Sequence, residues 1–318
     1  MIAPALLLAL AVAGGTAGGA WLHSSRWPRR APRLGICAWL VLSASTILAA
    51  LLAGLALAVP TVRPTPVLAD LLHACWASIR AHYATPGGLV TGVLGLVMTL
   101  AILSRLLLRI AAEHLGVARA RRDHRVRLLL LGQPDLHRSL LVLPCADAAV
   151  YCIPGRPVLV VCTTAALEEL GPEELQAVLA HEQAHLQGHH HQLLMLAAAL
   201  RSAFPFVPAF RLAETDLAIL VEMRADDRAL VGRAPRVLGS ALVKLAGSTT
   251  PRVALGAGGS SLVARVQRLA LDTPIMTSRA RAAAAAILLV VLLMPVVIAL
   301  GPAAVAVAVD YCPPGLPG

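Results

Sequence analysis

Four long apolar runs dominate the hydrophobic pattern of the chain. They are Ile2–Leu22, Leu34–Val59, Leu89–Ile110 and Ile287–Val309. A helix that crosses the hydrocarbon core of a bilayer needs about 20 predominantly apolar residues, and each run is long enough. The pattern predicts three spanning helices, then a more polar region, then a fourth spanning helix.

A fifth apolar stretch, Leu193–Leu212, lies inside the polar region. It contains Arg201, Pro205 and Pro208, and a central charge with two prolines argues against a spanning helix. We interpret it as a core or interfacial helix. The alternative, a fifth span, would move the C-terminus to the other side of the membrane.

The polar region shows a mixed pattern of short strands and longer helices. Leu140–Pro144, Ala149–Ile153 and Pro157–Cys162 are short, partly β-branched and bounded by turn residues, as strands are. Helices are predicted from Pro172 onward, where proline and acidic residues suit a first helical turn, and at about Thr215–Leu230. The pattern therefore predicts an α+β domain in this region.

Composition supports a membrane protein with one such domain. Hydrophobic residues make up 58% of the 318 residues and charged residues 14%, a balance too apolar for an ordinary soluble protein. We expect a three-helix membrane region at 1–112, a cytoplasmic domain at 113–284, and a fourth membrane helix with a short extracellular tail at 285–318.

The arginines set the expected orientation. The net charge is +10, and positive residues mark the cytoplasmic side of spanning helices. The N-terminus and C-terminus are then outside and the large domain is in the cytoplasm of a multi-pass plasma-membrane protein. The sequence holds no nucleic-acid-binding motif, so direct nucleic-acid binding is not expected. The arginine-rich segments carry Arg26, Arg29, Arg30, Arg33, Arg119, Arg121, Arg122, Arg125, Arg279 and Arg281, whereas the loop 60–88 carries only Arg63 and Arg80.

One motif points to chemistry. His181 and His185 are four residues apart in a predicted helix, so both imidazoles lie on one face and can reach one Zn²⁺ ion. Glu182 lies beside them and suits a general base for the attacking water.

A catalytic zinc also needs a third protein ligand. Glu222 can supply it, and Asp226, four residues later, can accept a hydrogen bond from a ligating imidazole. The opposing interpretation is a solvated helix face paired with Arg224 or Arg228. Asp227 is a less favoured alternative to Asp226.

Other residues are less clear from the sequence. For His189, His190 and His191 a surface or interfacial role is favoured over a second metal site. Cys145, Cys152 and Cys162 are expected to be small core residues. The strand Pro157–Cys162 either offers a free edge to a substrate peptide or is a plain core strand.

Several runs resemble the core of the BlaR/MecR family of membrane zinc metallopeptidases, the antirepressors, over about residues 89–230. They are Leu140-Leu-Val-Leu-Pro, Ala149-Val-Tyr-Cys, Arg156-Pro-Val-Leu-Val-Val and Glu173-Glu-Leu-Gln-Ala-Val-Leu-Ala-His-Glu-Gln-Ala-His-Leu.

The resemblance implies a gluzincin-like catalytic domain in the cytoplasm, with three membrane helices before it and one after. It implies one zinc ion held by His181, His185 and Glu222, with Glu182 as the base and Asp226 beside a ligand. The implied activity is endopeptidase cleavage of a winged-helix repressor of the BlaI/MecI kind, or of the protein itself, in signal transduction.

The chain also departs from that family. Sensor members carry an extracellular penicillin-binding domain after the last helix, where here only Asp310–Gly318 follows, so a short form is expected. No histidine or tyrosine downstream of the zinc motif suits the stabilisation of an oxyanion, which leaves Arg228, Arg265, Arg268 or the zinc itself.

Two rival functions remain open. The first is a membrane-protein quality-control metallopeptidase of the HtpX type, and the second is a non-catalytic membrane signalling scaffold. The substrate, the inducing signal and the oligomeric state do not follow from the sequence.

Overall fold

The computed structural model describes residues 2–59, 84–85, 87–135, 140–247, 260–270 and 276–309. The loop 60–83 and the tail Asp310–Gly318, on which parts of the predicted topology rest, lie outside these ranges. The helices are α1 (Ile2–Ser24, with a π-helical turn at Gly14–Gly18), α2 (Trp27–Arg30), α3 (Pro32–Ala58), α4 (Gly88–Leu131), α5 (Thr164–Glu169), α6 (Pro172–Gln187), α7 (His190–Ala203), α8 (Pro208–Ala229), α9 (Pro235–Gly247), α10 (Ser260–Ala270) and α11 (Ser278–Val309). The strands are β1 (Gln133–Asp135), β2 (Leu140–Leu143), β3 (Val150–Ile153) and β4 (Leu159–Thr163).

Four helices in the described ranges are long and apolar enough to cross a membrane, judged by length and composition. They are α1, α3, α4 and the Ser278–Gly301 part of α11, and they coincide with the four predicted runs. Helix α4 differs from its prediction because it continues past Ile110 to Leu131 without a break. Its second half carries the arginine-rich segment as regular helix.

The four candidate spans pack as a bundle around α3, which contacts α1, α4 and α11. Small residues allow the close approach of α3 and α4. A side chain at Gly95 would collide with the carbonyl oxygen of Gly54, so glycine at both positions lets the two backbones touch.

The sheet has the strand order β1-β2-β4-β3. Strand β4 runs parallel to β2 and antiparallel to β3, so it lies in the interior of the sheet. The expectation of a free edge on the strand Pro157–Cys162 is therefore wrong, and its alternative, a core strand, is correct. The edge beside helix α6 belongs to β3 instead. The short strand β1, which pairs with β2, has no counterpart in the predicted strands.

Helices α5, α6 and α9 cover the sheet and enclose its hydrophobic core. Cys162 is fully buried there and behaves as a small apolar residue, as predicted. The buried members of this core are Leu140, Ala148, Val150, Cys162, Ala166, Leu170, Val178 and Ala241.

Helix α8 joins the two parts of the molecule. It packs against α6 and α7 on one side and against α1 and α3 on the other. The stretch Leu193–Leu212 forms the end of α7, a break at residues 204–207 and the start of α8, and it is not among the four candidate spans. The prediction of one core or interfacial helix is therefore wrong in its continuity, since the stretch is divided between two helices. The core shared with the bundle contains Leu22, Ile36, Ala38, Trp39, Ala197, Ala213, Leu217, Leu220 and Val221.

Candidate metal centre

The helix that carries the HExxH motif begins with a well-formed N-terminus. The Glu174 carboxylate accepts a 2.9 Å hydrogen bond from the Gly171 N–H, and Pro172 occupies the first turn. The same carboxylate is 2.6 Å from Lys244 Nζ and accepts a 2.6 Å hydrogen bond from Ser240 Oγ, both on α9. These contacts fix α6 and α9 side by side.

Two helices bring three potential ligands together. His181 and His185 of α6 face Glu222 of α8, and their Nε2 atoms are 3.1 Å apart. Glu222 Oε2 lies 3.5 Å from His181 Nε2, and Glu222 Oε1 lies 3.3 Å from His185 Nε2. The structure thus places Glu222 where the sequence analysis expected a third ligand.

The other nitrogen of each imidazole faces a second partner. His181 Nδ1 lies 3.0 Å from Asp226 Oδ1, although this contact does not have the angle of a hydrogen bond. His185 Nδ1 lies 2.9 Å from His190 Nδ1. If both imidazoles bind a metal through Nε2, their Nδ1 atoms carry the protons and donate to these partners.

His190 contradicts the surface or interfacial role predicted for the three consecutive histidines. It is 4% exposed, whereas its neighbour His189 is exposed. On a continuous helix His190 would point away from His185, but α6 ends at Gln187 and α7 begins at His190. His189 takes a left-handed conformation with φ of 49°, and a side chain at Gly188 would collide with the His190 ring. The break therefore turns His190 back toward the site.

Arg265 of α10 holds the two carboxylates of α8. Its Nε and Nη2 donate to the Asp226 carboxylate at 2.8 and 2.7 Å, and its Nη1 lies 2.8 Å from Glu222 Oε2. Glu222 and Asp226 are buried, at 6% and 1% exposure, so they are not the solvated helix face that the opposing interpretation required. Since all three nitrogens of the guanidinium face carboxylates, Arg265 orients these two residues.

The other arginines considered for an oxyanion lie elsewhere. Arg268 Nη2 donates to Asp227 at 2.6 Å, and Arg228 is exposed. Asp227 is thereby engaged on another face of α8 from the histidines, which favours Asp226 as the partner of His181.

The electrostatics of the site favour a bound cation. Burial opposes the charged form of Glu222 and Asp226, but Arg265 and His181 outweigh it and lower the pKa of both carboxyls to about 2. Burial would also lower the pKa of His181, yet its two carboxylate neighbours raise it to about 9. The two buried carboxylates carry two negative charges, and Arg265 carries one positive charge. The remaining negative charge favours a cation beside the imidazoles.

Glu182 sits beside this group without joining it. Burial, with the nearby Glu222 charge, raises the pKa of Glu182 to about 7 although His181, the Cys152 N–H and Arg265 act in the opposite direction. Its Oε2 accepts a 3.3 Å hydrogen bond from the backbone N–H of Cys152, on the β3 edge. Burial, and then the Glu182 charge, raises the pKa of the neighbouring Cys152 thiol to about 12.

The donor set fits one metal ion. The candidate ligand atoms of His181, His185 and Glu222 all lie within 4.8 Å of one another. Two atoms that each bind zinc at about 2.0–2.2 Å lie at most about 4.4 Å apart, and the measured separations of 3.1, 3.3 and 3.5 Å are below this limit. Glu222 Oε1 is buried without a hydrogen-bond partner among the described residues, as expected of an atom reserved for a metal.

Comparison with known proteins finds a family model that matches this part of the chain. Residues 141–270 match Peptidase family M48. The chain is also 36% identical over 129 residues to the plastoglobule-localized metallopeptidase 48, chloroplastic, of Arabidopsis thaliana. That alignment covers 38% of this chain and 37% of the relative. No solved structure matches.

The matched range and the metal centre coincide. It begins in β2 and ends with α10, so it includes both histidines, both carboxylates of α8 and Arg265. The finer resemblance to the antirepressor type stays a prediction. Residues 141–270, the range that contains the candidate metal centre, therefore match a family of metallopeptidases, Peptidase family M48.

Proposed function

We propose that the protein is an integral-membrane, zinc-dependent endopeptidase. The observation that carries this proposal is the convergence of His181, His185 and Glu222 on one point, beside the half-buried Glu182 side chain. Two imidazoles and one carboxylate form a ligand set of catalytic zinc sites that keep one position open. One ion per chain is expected.

His181, His185 and Glu222 would hold the zinc ion. When bound, zinc supplies a Lewis acid that polarises the scissile carbonyl and acidifies the attacking water. Asp226 and His190 hold the two imidazoles in the required tautomer, and Arg265 holds Glu222 in line with them.

Glu182 is the proposed general base. Its carboxylate oxygen takes the proton from water and returns it to the leaving amine. A base works best when its pKa is near the operating pH, and loss of hydration raises the pKa of Glu182 to about 7.

The substrate backbone is proposed to bind along the edge of strand β3. Strand β3 pairs with β4 on one side, and the Cys152 N–H on its other side points to Glu182. An extended peptide that adds to this edge would run past the base and the ligand set. The strand edge proposed to bind substrate is therefore that of β3 and not that of the strand Pro157–Cys162.

The proposed location is the plasma membrane, with the domain in the cytoplasm and both termini outside. The four candidate spans support membrane insertion, and the arginine-rich segments support the orientation. The proposed substrate is a cytoplasmic or membrane-adjacent protein, such as a winged-helix repressor, or the protein itself.

The position of the spans favours a regulatory protease over a quality-control peptidase of the HtpX type. In that rival, apolar spans are expected between the HExxH motif and the third ligand. Helix α7, the first helix between His185 and Glu222, has 14 residues, and neither it nor α8 is among the candidate spans.

Substrate trapping tests the proposal. Glu182→Gln should bind zinc and retain substrates that the wild-type protein cleaves, so membranes that contain the variant should accumulate specific full-length proteins. Cleavage of a co-expressed repressor by wild type but not by Glu182→Gln supports a regulatory protease. If membranes with the wild-type protein and membranes with Glu182→Gln contain the same full-length proteins, the proposed endopeptidase activity is contradicted.

A further inference from the structure

A cavity of about 120 Å³ opens directly beside the metal centre. Its polar side is formed by residues of the site, and its other side is apolar. The polar lining residues are His181, Glu182, Glu222 and Arg265, and the apolar ones are Val150, Val178, Leu238, Leu242 and Leu245.

Three elements build the apolar side. Val150 comes from β3, two residues before Cys152, and Val178 comes from α6, one turn before His181. Helix α9 contributes Leu238, Leu242 and Leu245, whose spacing of four and three residues places them on one face. Since Glu174 fixes α9 to α6 through Lys244 and Ser240, this face is held against the catalytic helix.

The size and lining of the cavity suit a branched aliphatic side chain. An apolar cavity of about 150 Å³ accommodates a molecule as large as benzene, so a cavity of about 120 Å³ accepts a leucine or isoleucine side chain. A charged or amide side chain would lose its hydration there without gaining a partner on the aliphatic walls.

The charge of Arg265 does not make the cavity selective for acids. Its Nε, Nη1 and Nη2 atoms all face the carboxylates of Glu222 and Asp226 at 2.7–2.8 Å. An acidic substrate side chain would have to displace one of these buried carboxylates, which is unfavourable.

We propose that this cavity is the specificity pocket of the peptidase and binds a branched aliphatic side chain of the residue next to the scissile bond. The inference rests on the proposed endopeptidase function. A peptide on the β3 edge passes Glu182, and the cavity opens between that edge, Glu182 and α9. Substrates would therefore be cut beside leucine, isoleucine, valine or methionine.

The experiment measures cleavage specificity with the full-length, zinc-loaded protein in detergent. A peptide library is digested, and the cut sites are read by mass spectrometry. Wild type should show enrichment of aliphatic residues at one fixed position next to the cut. Leu242→Ala enlarges the pocket and should shift that position toward phenylalanine, whereas Leu242→Phe should shift it toward alanine, each by about tenfold or more in relative rate.

Val243 provides the matched control on the same helix. It is 57% exposed and does not line the cavity, so Val243→Ala and Val243→Phe should leave the profile of wild type unchanged. Opposite shifts from the two Leu242 variants cannot arise from damaged folding, because misfolding lowers all rates together.

A second readout does not need turnover. A peptide that carries photo-reactive leucine, bound to Glu182→Gln and irradiated, should label α9 at Leu242 or Leu245. Labelling elsewhere, or a cleavage profile without an aliphatic preference, would overturn the pocket assignment alone. Zinc-loaded wild type that cuts no peptide would instead overturn the endopeptidase function, and the pocket assignment with it.

Discussion

His190 Nδ1 lies 2.9 Å from His185 Nδ1, on the side of the His185 ring that faces away from Glu222. A ligating imidazole holds its orientation through the hydrogen bond at its other nitrogen. We therefore expect His190→Leu to raise the dissociation constant for zinc by about 10–100-fold. Competition with a chromophoric chelator measures the constant.

Two further variants test the His190 prediction. His190→Asn keeps an oxygen that can accept the proton of His185 Nδ1, and it should restore most of the affinity. His191→Leu, at the next position and only partly buried, should have no effect. Equal zinc affinities for wild type and His190→Leu would show that the contact does not support the ligand.

Arg265→Met should destabilise the metal-free protein strongly. It leaves the Glu222 and Asp226 carboxylates buried without their cation, and breaking a buried pair in this way costs about 3–5 kcal/mol. Chemical denaturation with and without zinc measures the free energy of unfolding. Added zinc should recover part of the loss, because it supplies positive charge to Glu222.

The control for this variant is a surface pair. Arg201 lies 3.3 Å from Glu214, with side chains 56% and 32% exposed, so Arg201→Met should change the free energy of unfolding by about 1 kcal/mol or less. A similar small loss for Arg265→Met would mean that the carboxylates do not depend on this guanidinium.

Glu182→Gln should separate binding from catalysis. The variant keeps the three ligands, so it should contain as much zinc as wild type. Loss of the general base should lower kcat by about 10²–10⁴-fold. Metal analysis and peptide turnover on the same sample check both parts, and residual activity near that of wild type would remove Glu182 from its assigned role.

His181→Ala and Glu222→Ala should each lose the metal. Each removes one of three protein ligands, and Glu222→Ala also leaves Arg265 without one of its partners. Purified wild-type protein should contain about one zinc ion per chain, and the two variants should contain much less zinc. Unchanged metal content in His181→Ala would contradict the site.

Removal of zinc from wild type should lower its stability. A ligand at 100 times its dissociation constant stabilises the folded state by about 2.7 kcal/mol, so a chelator should lower the melting temperature and added zinc should restore it. His181→Ala should not respond to either treatment. A melting temperature of wild type that does not depend on zinc would contradict a metal bound at the folded site.

The parts of the site that follow a local spacing could be predicted from sequence. His181 and His185 lie one turn apart on α6, and Glu222 and Asp226 lie one turn apart on α8, so one helical period relates each pair. The spans and the three longer strands follow from equally local patterns. The edge position of β3 could not be predicted, because strand order depends on pairing between distant segments.

The contact of Arg265 with the carboxylates and the contact of His190 with His185 could not be predicted, for two different reasons. Arg265 is on α10, 39 residues after its partner Asp226, and no spacing rule relates the two helices. His190 is close to His185 in sequence, but its direction depends on the left-handed residue His189. Glycine at 188 beside a run of polar residues is the signal that could have indicated a helix end there.

Helix α8 has a consequence for how the protein can be divided. Leu217, Leu220 and Val221 precede the ligand Glu222 and are buried against Trp39 and its neighbours in the bundle. A fragment that begins at Glu113 would leave this apolar face in water, directly before the ligand. We therefore expect the helical bundle and the domain with the candidate metal centre to unfold in a single transition, and we expect an excised fragment without the bundle not to bind zinc.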